Sequence, residues 1–203
     1  MSSSERALSE ICTHIVDCPH KTAPQTQQEP YAFAVGTKAI SEDGSVDWSK
    51  CRPVSQQTYQ NWITRLQPEE GDLILCREAP VGPLTRVPKT PRVCLGQRTV
   101  LLRPDAAVVD PQWLEYALRS PDSQRRLRVL SGGSTVPHLN VADIRTFRIP
   151  VPPLDEQRRI ASVLGSIDDK IQSNQAIARL LHSIAEQAYR RALSTAQVAR
   201  LGD

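Results

Sequence analysis

Aromatic residues are scarce: two Phe, three Trp and four Tyr in 203 residues. That is too few for a sheet that reads single-stranded nucleic acid by stacking bases. No run approaches the roughly 18 consecutive apolar residues of a helical membrane span. The first residues, Met1-Ser-Ser-Ser-Glu-Arg6, contain no basic segment leading into an apolar run, so no signal peptide is expected. The five cysteines, Cys12, Cys18, Cys51, Cys76 and Cys94, include no two that lie three apart, which excludes a zinc ribbon or a redox CxxC. Reduced, buried thiols and a cytoplasmic setting are expected instead.

Catalytic signatures are also missing. There is no GxGxxG, no phosphate-binding GxxxxGK and no GxSxG. His14, His20, His138 and His182 have no metal-ligand spacing with each other or with cysteine, so no metal site is expected. Cys18 and His20 could be forced into a thiol–imidazole pair, but residues two apart rarely meet productively and no orienting partner is evident. A methyltransferase would need a doubly wound cofactor fold with a glycine-rich first turn, and a chain of this length with a long C-terminal arm leaves no room for it. The expectation is therefore a non-catalytic chain. A hydrolase or transferase using Cys18 or His20 is the alternative.

What is present is uneven charge. The net formal charge is only +3. Residues 1–50 hold Arg6, Lys21, Lys38 and Lys50 against seven acidic side chains, whereas residues 77–98 hold Arg77, Arg86, Lys89, Arg92 and Arg98 against Glu78 alone. The basic stretch also carries Pro80, Gly82, Pro83, Pro88, Pro91 and Gly96, a density that predicts turns and loops. A basic loop of this kind suits a phosphate-facing surface, though a merely solvated loop fits the charge equally well. Ser131-Gly-Gly-Ser-Thr135 is a second candidate, a glycine-rich turn whose backbone N–H groups could cradle an anion or simply connect two elements.

Strands are expected at residues 31–35, 72–76, 92–95, 99–102 and 145–151, the last with Phe147, Ile149 and Val151 on one face. Helices are expected at residues 58–66, from Asp110 as cap with Pro111 at the first position, at 123–130 after an interruption at Pro121, and at 141–144. From Leu154 to about Ala192 there is one glycine and no proline. Apolar residues recur at Ile160, Leu164, Ile167, Ile171, Ala178, Leu181 and Ala185, with Asn174 at one seam position. This is a heptad seam that needs a partner helix, and Asn174 would set its register. Val163, Ile177, Leu180 and Ile184 widen the apolar face. The fold class read from these patterns is α+β, with a mixed globular domain at 1–153, a long C-terminal coiled-coil helix at 154–193, and a tail or the start of a second repeat at 194–203. The closing Leu201-Gly-Asp203 falls where Leu8-Ser-Glu10 falls at the start, a weak echo of that repeat.

Several runs resemble one family. Gly132-Gly-Ser-Thr-Val-Pro-His-Leu-Asn140, then Ile144, then Ile149-Pro-Val-Pro-Pro-Leu-Asp-Glu-Gln157 and Ile160-Ala-Ser-Val-Leu164 are similar to the specificity subunit of type I restriction–modification systems. Asp17-Cys-Pro-His-Lys-Thr22, Gly71-Asp-Leu-Ile-Leu75, and Cys94-Leu-Gly-Gln-Arg98 with Leu102-Arg-Pro104 also fit. The resemblance covers about residues 6–192. It implies a target-recognition domain followed by a spacer helix. A full subunit of that family usually holds two such units, each reading half of a split double-stranded DNA target, with the two helices paired antiparallel. DNA methyltransferase subunits carrying S-adenosylmethionine dock on the scaffold, and a restriction subunit using ATP and Mg can join them. This chain would need no cofactor of its own. It is expected to be a half-subunit that self-dimerises through the helix, or a piece of a two-domain subunit. Candidate DNA contacts are Lys21, Thr22, Lys38, Arg77, Arg86, Lys89, Arg92, Ser134 and Thr135. The competing reading is a coiled-coil adaptor that recruits a protein and binds no DNA.

Overall fold

The computed structural model describes residues 4–132 and 137–201, with side chains described as far as residue 190. In chain order the elements are β1 (Ser4–Ala7), α1 (Leu8–Ile11), β2 (Cys12–Asp17), β3 (Ala32–Val35), β4 (Arg52–Val54), α2 (Gln56–Trp62), β5 (Leu73–Arg77), β6 (Val81–Arg86), β7 (Val93–Leu95), β8 (Thr99–Pro104), α3 (Pro111–Arg119), α4 (Pro121–Leu130), α5 (Val141–Thr146), β9 (Arg148–Val151) and α6 (Leu154–Leu201). The chain divides into residues 1–161 and residues 162–203. The class is α+β with a long C-terminal helix, as the patterns imply.

Two larger sheets build the globular unit. The first has the order β2-β8-β5-β6 and is antiparallel throughout. The second has the order β4-β3-β7, in which β3 and β7 run parallel. Successive strand residues point to opposite faces. Leu73 and Leu75 of β5, with Val100 and Leu102 of β8, enter a core that also holds Trp113, Leu114 and Leu118 of α3 and Leu127 of α4. Ile74, Cys76 and Leu101 enter a second core with Val35, Val93 and Leu95 of the smaller sheet. Ala32, Ala34 and Cys94, on that sheet's far face, enter a third with Val54 and Tyr59 of α2. The layers are thus helices, sheet, sheet, helix. A central sheet covered on both sides explains why residues 72–76 read as an unbroken apolar run rather than an alternation.

Several boundaries shift for identifiable reasons. The stretch 77–98, where proline and glycine predict turns and loops around the strand expected at 92–95, holds that strand as β7 and also an unexpected one, β6, in which Val81–Thr85 is buried. Pro83 is tolerated because β6 is an edge strand, where a missing N–H removes no ladder bond. Pro121 opens α4 rather than interrupting it: Ser120 Oγ accepts from the Ser123 N–H at 3.3 Å, and proline at the first helical position lacks only an N–H that would be unpaired anyway. Residues 145–146 close α5 instead of opening a strand, while Phe147, Ile149 and Val151 are buried as the alternation requires. The helix expected at 58–66 starts earlier, at Gln56, where Ser55 caps the Thr58 N–H at 3.2 Å. Asp110 caps α3 through the Trp113 N–H at 2.9 Å, as expected. All five cysteines are buried and unpaired by disulfides.

The segment Pro152-Pro-Leu-Asp-Glu-Gln157 is a structural staple. Gln157 is fully buried; its amide nitrogen donates to Val108 O at 3.2 Å and Pro152 O at 2.8 Å, and its oxygen accepts from the Asp110 N–H at 2.8 Å. One side chain thus ties the entry of α6 to the cap of α3. A comparable clamp holds the 67–72 turn to β8: Arg103 makes a bidentate pair with buried Asp72 at 2.8 and 2.9 Å and reaches Gln67 O at 2.7 Å.

Candidate nucleic-acid interface

The parallel pair β3 and β7 ends on two glycines, Gly36 and Gly96. The Gly96 N–H donates to Val35 O at 2.8 Å. A side-chain carbon on Gly96 would lie 2.5 Å from Gly36 N and 2.6 Å from its Cα, so only glycine lets the two backbones meet. From this junction the chains diverge. After Gly36 a short 3-10 turn, Thr37–Ala39, exposes Lys38. After Gly96 a tight turn carries Gln97 and Arg98 into β8, with Arg98 in the left-handed region at φ +66°. Thr99 Oγ1 donates to Gly96 O at 2.8 Å and the Arg77 N–H donates to Arg98 O at 2.9 Å, which fixes that turn. Lys50, from the 3-10 turn Trp48–Lys50, and Arg52, at the start of edge strand β4, complete the rim.

The result is a cleft of about 330 Å³ whose lining includes Thr22, Lys38, Lys50, Arg52, Gln97 and Arg98. Among the described residues, four cations line it and no carboxylate does. Lys50 is paired with Asp47 at 2.9 Å and Arg98 with Glu78 at 3.2 Å. Lys38 and Arg52 are exposed and have no acidic partner among the described residues. A concave surface lined by one sign of charge attracts polyanions, and phosphate oxygens match these donors.

The residues expected to bind DNA are dispersed. Thr22 and Lys38 line the cleft, and exposed Lys21 adjoins Thr22. Arg77 does not reach solvent freely: its side chain is 13% exposed, meets Asp17 at 3.2 Å and donates to Leu139 O at 3.2 Å, so it acts as an internal tie. Arg86, on the edge strand β6 against α3, approaches Glu115 at 3.7 Å. Lys89 is exposed in the turn after β6, and Arg92 lies over the Tyr31 ring at 4.7 Å; none of these three lines the cleft. Ser134 and Thr135 lie outside the described residues. Lys50, Arg52 and Gln97 are cleft residues that sequence reasoning missed, and Arg98, counted in the basic stretch 77–98, was not among the candidate contacts. Gly36 and Gly96, each closing a short apolar run, were the available signal.

Of the seam residues, Ile160, Ile167, Ile171, Asn174, Ala178, Leu181 and Ala185 are exposed and Leu164 is half-buried. Within residues 162–190, Ile177, Leu180 and Ile184 are exposed as well. The Cys18 thiol is fully buried, and burial pushes its pKa up, away from a reactive thiolate; His20 faces Asp17 at 3.2 Å. No group of metal-ligating side chains occurs among the described residues. No helix among them is long and apolar enough to cross a membrane.

Comparison with known proteins gives this geometry a context. The chain is 29% identical over 140 residues to the type I restriction enzyme MjaIX specificity subunit of Methanocaldococcus jannaschii, which covers 68% of this chain and 31% of that subunit. Its fold matches the HsdS subunit of Thermoanaerobacter tengcongensis (TM-score 0.56, 22% identity, 85% of this chain and 38% of that one). It also matches a chain solved in work on complex assembly and conformational transition of the type I R-M system (TM-score 0.61, 19% identity, 87% and 44%). The chain spans a third or less of the length of the curated relatives it matches and under half of the solved chains. Residues 34–182, which contain most of the strands, the cleft's Lys38, Lys50, Arg52 and Arg98, and most of the exposed seam, match the type I restriction modification DNA specificity domain, and the chain belongs to that family.

Proposed function

We propose that this chain reads double-stranded DNA by sequence, as the specificity component of a type I restriction–modification assembly. The observation that carries the reading is the cleft at the carboxyl ends of β3 and β7, with four cations on its rim, two of them without an acidic partner among the described residues. Phosphate binding by Lys38 and Arg52 would position the duplex, and polar side chains inside the cleft would meet base edges. In this reading the chain is not an enzyme. Methylation and cleavage belong to partner subunits, and S-adenosylmethionine, ATP and Mg are theirs. The cytoplasm is the compartment in which such an assembly meets its DNA.

The exposed apolar seam of residues 162–190 supports a helix partner. A second copy of this chain, a second repeat of a longer subunit, and a methyltransferase subunit are the partners the family offers. A pure adaptor role would leave the basic cleft without a purpose.

The test is duplex binding across a salt series, comparing the chain with the Lys38→Ala/Arg52→Ala double variant. Removing one phosphate-binding side chain lowers the slope of log K against log salt by about 0.9. The expected result is weaker binding to all sequences and a slope reduced by about two. An unchanged slope removes the cleft from the interface. Arg86→Ala/Lys89→Ala serves as the comparison, because those two residues lie outside the cleft lining.

A further inference from the structure

We propose that Gln97 and Arg98, at the tip of the turn between β7 and β8, are the base-reading pair of the cleft, with Gln97 addressing an adenine and Arg98 a guanine. The proposal rests on the DNA-recognition reading above and assigns within it which side chains carry sequence information.

Base readout is sharper when the backbone that carries the reading side chains is held in place, because a mobile segment forfeits discrimination to entropy. The turn meets that requirement. Gly96 is locked against Gly36 by direct backbone approach. Gly96 O accepts from Thr99 Oγ1 and Arg98 O accepts from the Arg77 N–H. The turn therefore sits between two sheets and bonds to both.

The two side chains at its tip differ from the rest of the rim. Gln97 is exposed in the cleft and makes no side-chain hydrogen bond within the described structure, so its amide donor and acceptor are both free. An amide of this kind matches adenine N6 and N7 together. Arg98 is half-exposed and ion-paired, its Nε 3.2 Å from Glu78 Oε1, which biases where the fork sits while leaving its donors to spare. Glu78 is itself anchored by a β-bridge to His138. A carboxylate beside an arginine lowers its worth as a phosphate anchor but sharpens its aim, and an aimed guanidinium matches guanine O6 and N7. Lys38 and Arg52, with no acidic partner among the described residues, suit the sequence-independent phosphate role instead.

The experiment is selection from a library of randomised duplexes using the full chain, Gln97→Ala and Arg98→Lys. Arg98→Lys keeps the charge and removes the planar fork, and Gln97 is exposed, so neither change disturbs the core. The expected result is a motif in which Gln97→Ala relaxes one adenine position and Arg98→Lys one guanine position. Each loses roughly tenfold to a hundredfold discrimination there, and the salt slope stays unchanged. If both variants select the unaltered motif, or lose affinity evenly on all sequences, the pair does not read bases and the proposal falls. If the unmodified chain enriches no motif, the DNA-recognition reading fails with it, and that outcome is distinct from a motif insensitive to residues 97 and 98.

Discussion

Replacing Gln157 by alanine removes three hydrogen bonds at once: to Val108 O, to Pro152 O, and from the Asp110 N–H. All three partners sit around a side chain with no solvent exposure, so water does not replace the amide without opening the junction. At about 1 kcal/mol net for each bond, the loss is roughly 3 kcal/mol. For a unit of this size that corresponds to a fall in Tm of about 6–12 °C. Thermal unfolding followed by tryptophan fluorescence reports it directly, since Trp113 lies in the core and its own N–H is capped by Asp110. Gln157→Glu separates hydrogen bonding from shape. The carboxylate still accepts from Asp110 but faces two carbonyl oxygens with no donor. Burial among acceptors raises its pKa above the unfolded value of about 4.3. A group whose folded pKa is raised is best tolerated below that unfolded value, and the penalty grows as pH rises toward the folded one. The variant is therefore expected to be least impaired below about pH 4 and most impaired at neutral pH. A Tm shift under about 2 °C for the alanine variant, where about 6–12 °C is expected, refutes the staple. So does a glutamate variant as stable at neutral pH as the parent.

Further outcomes follow from neighbouring parts of the fold. Asp72→Ala leaves the Arg103 guanidinium and the Glu69 N–H without their carboxylate, and is expected to lower stability by about 3 kcal/mol, read as a shift in urea midpoint. Gly96→Ala drives a methyl group to within 2.5 Å of Gly36 N; it is expected to destabilise by about 1–3 kcal/mol and to abolish duplex binding, whereas Gly132→Ala, whose nearest neighbour is at 3.2 Å, has a smaller effect in both assays. Ile167→Asp with Ile171→Asp places two charges in the exposed seam. If the seam closes on a second copy, sedimentation shows the dimer dissociated; a mass unchanged by the substitutions assigns the seam no role in self-association.

Much of the scaffold was legible because local rules and tertiary demands agree. Asp110-Pro111 starts a helix on capping chemistry alone. The apolar run after Gly71 is a strand because both faces of β5 are covered, and composition signals that burial before any partner is known. The long helix announces itself by an absence of proline and a seam every three or four residues. The failures share a cause as well. Pro83 and Gly82 make residues 81–86 look like loop, yet an edge strand tolerates both, and edge position is a property of the sheet rather than of the residues. β1 and β9 pair across almost the whole length of the globular unit, from Ser4 to Val151, so no local window contains the reason for β1.

The cleft was harder to find for a more basic reason. Its rim comes from four separate stretches, near residues 22, 36–38, 50–52 and 96–98, and charge counted along the chain dilutes each of them. Lys38 and Lys50 lie in a segment whose net charge is negative, and Arg98 closes the basic stretch whose other members pair inward or face elsewhere. Only the parallel pairing of β3 with β7 brings the two glycine turns side by side, and a parallel pair between strands so far apart in the chain leaves no mark at either strand alone. Linear charge density therefore points to a loop, while three-dimensional charge density points to the ends of two strands. Where those two maps disagree, the second governs a polyanion's approach, because screening over roughly 8–10 Å makes neighbours in space matter and neighbours in sequence irrelevant.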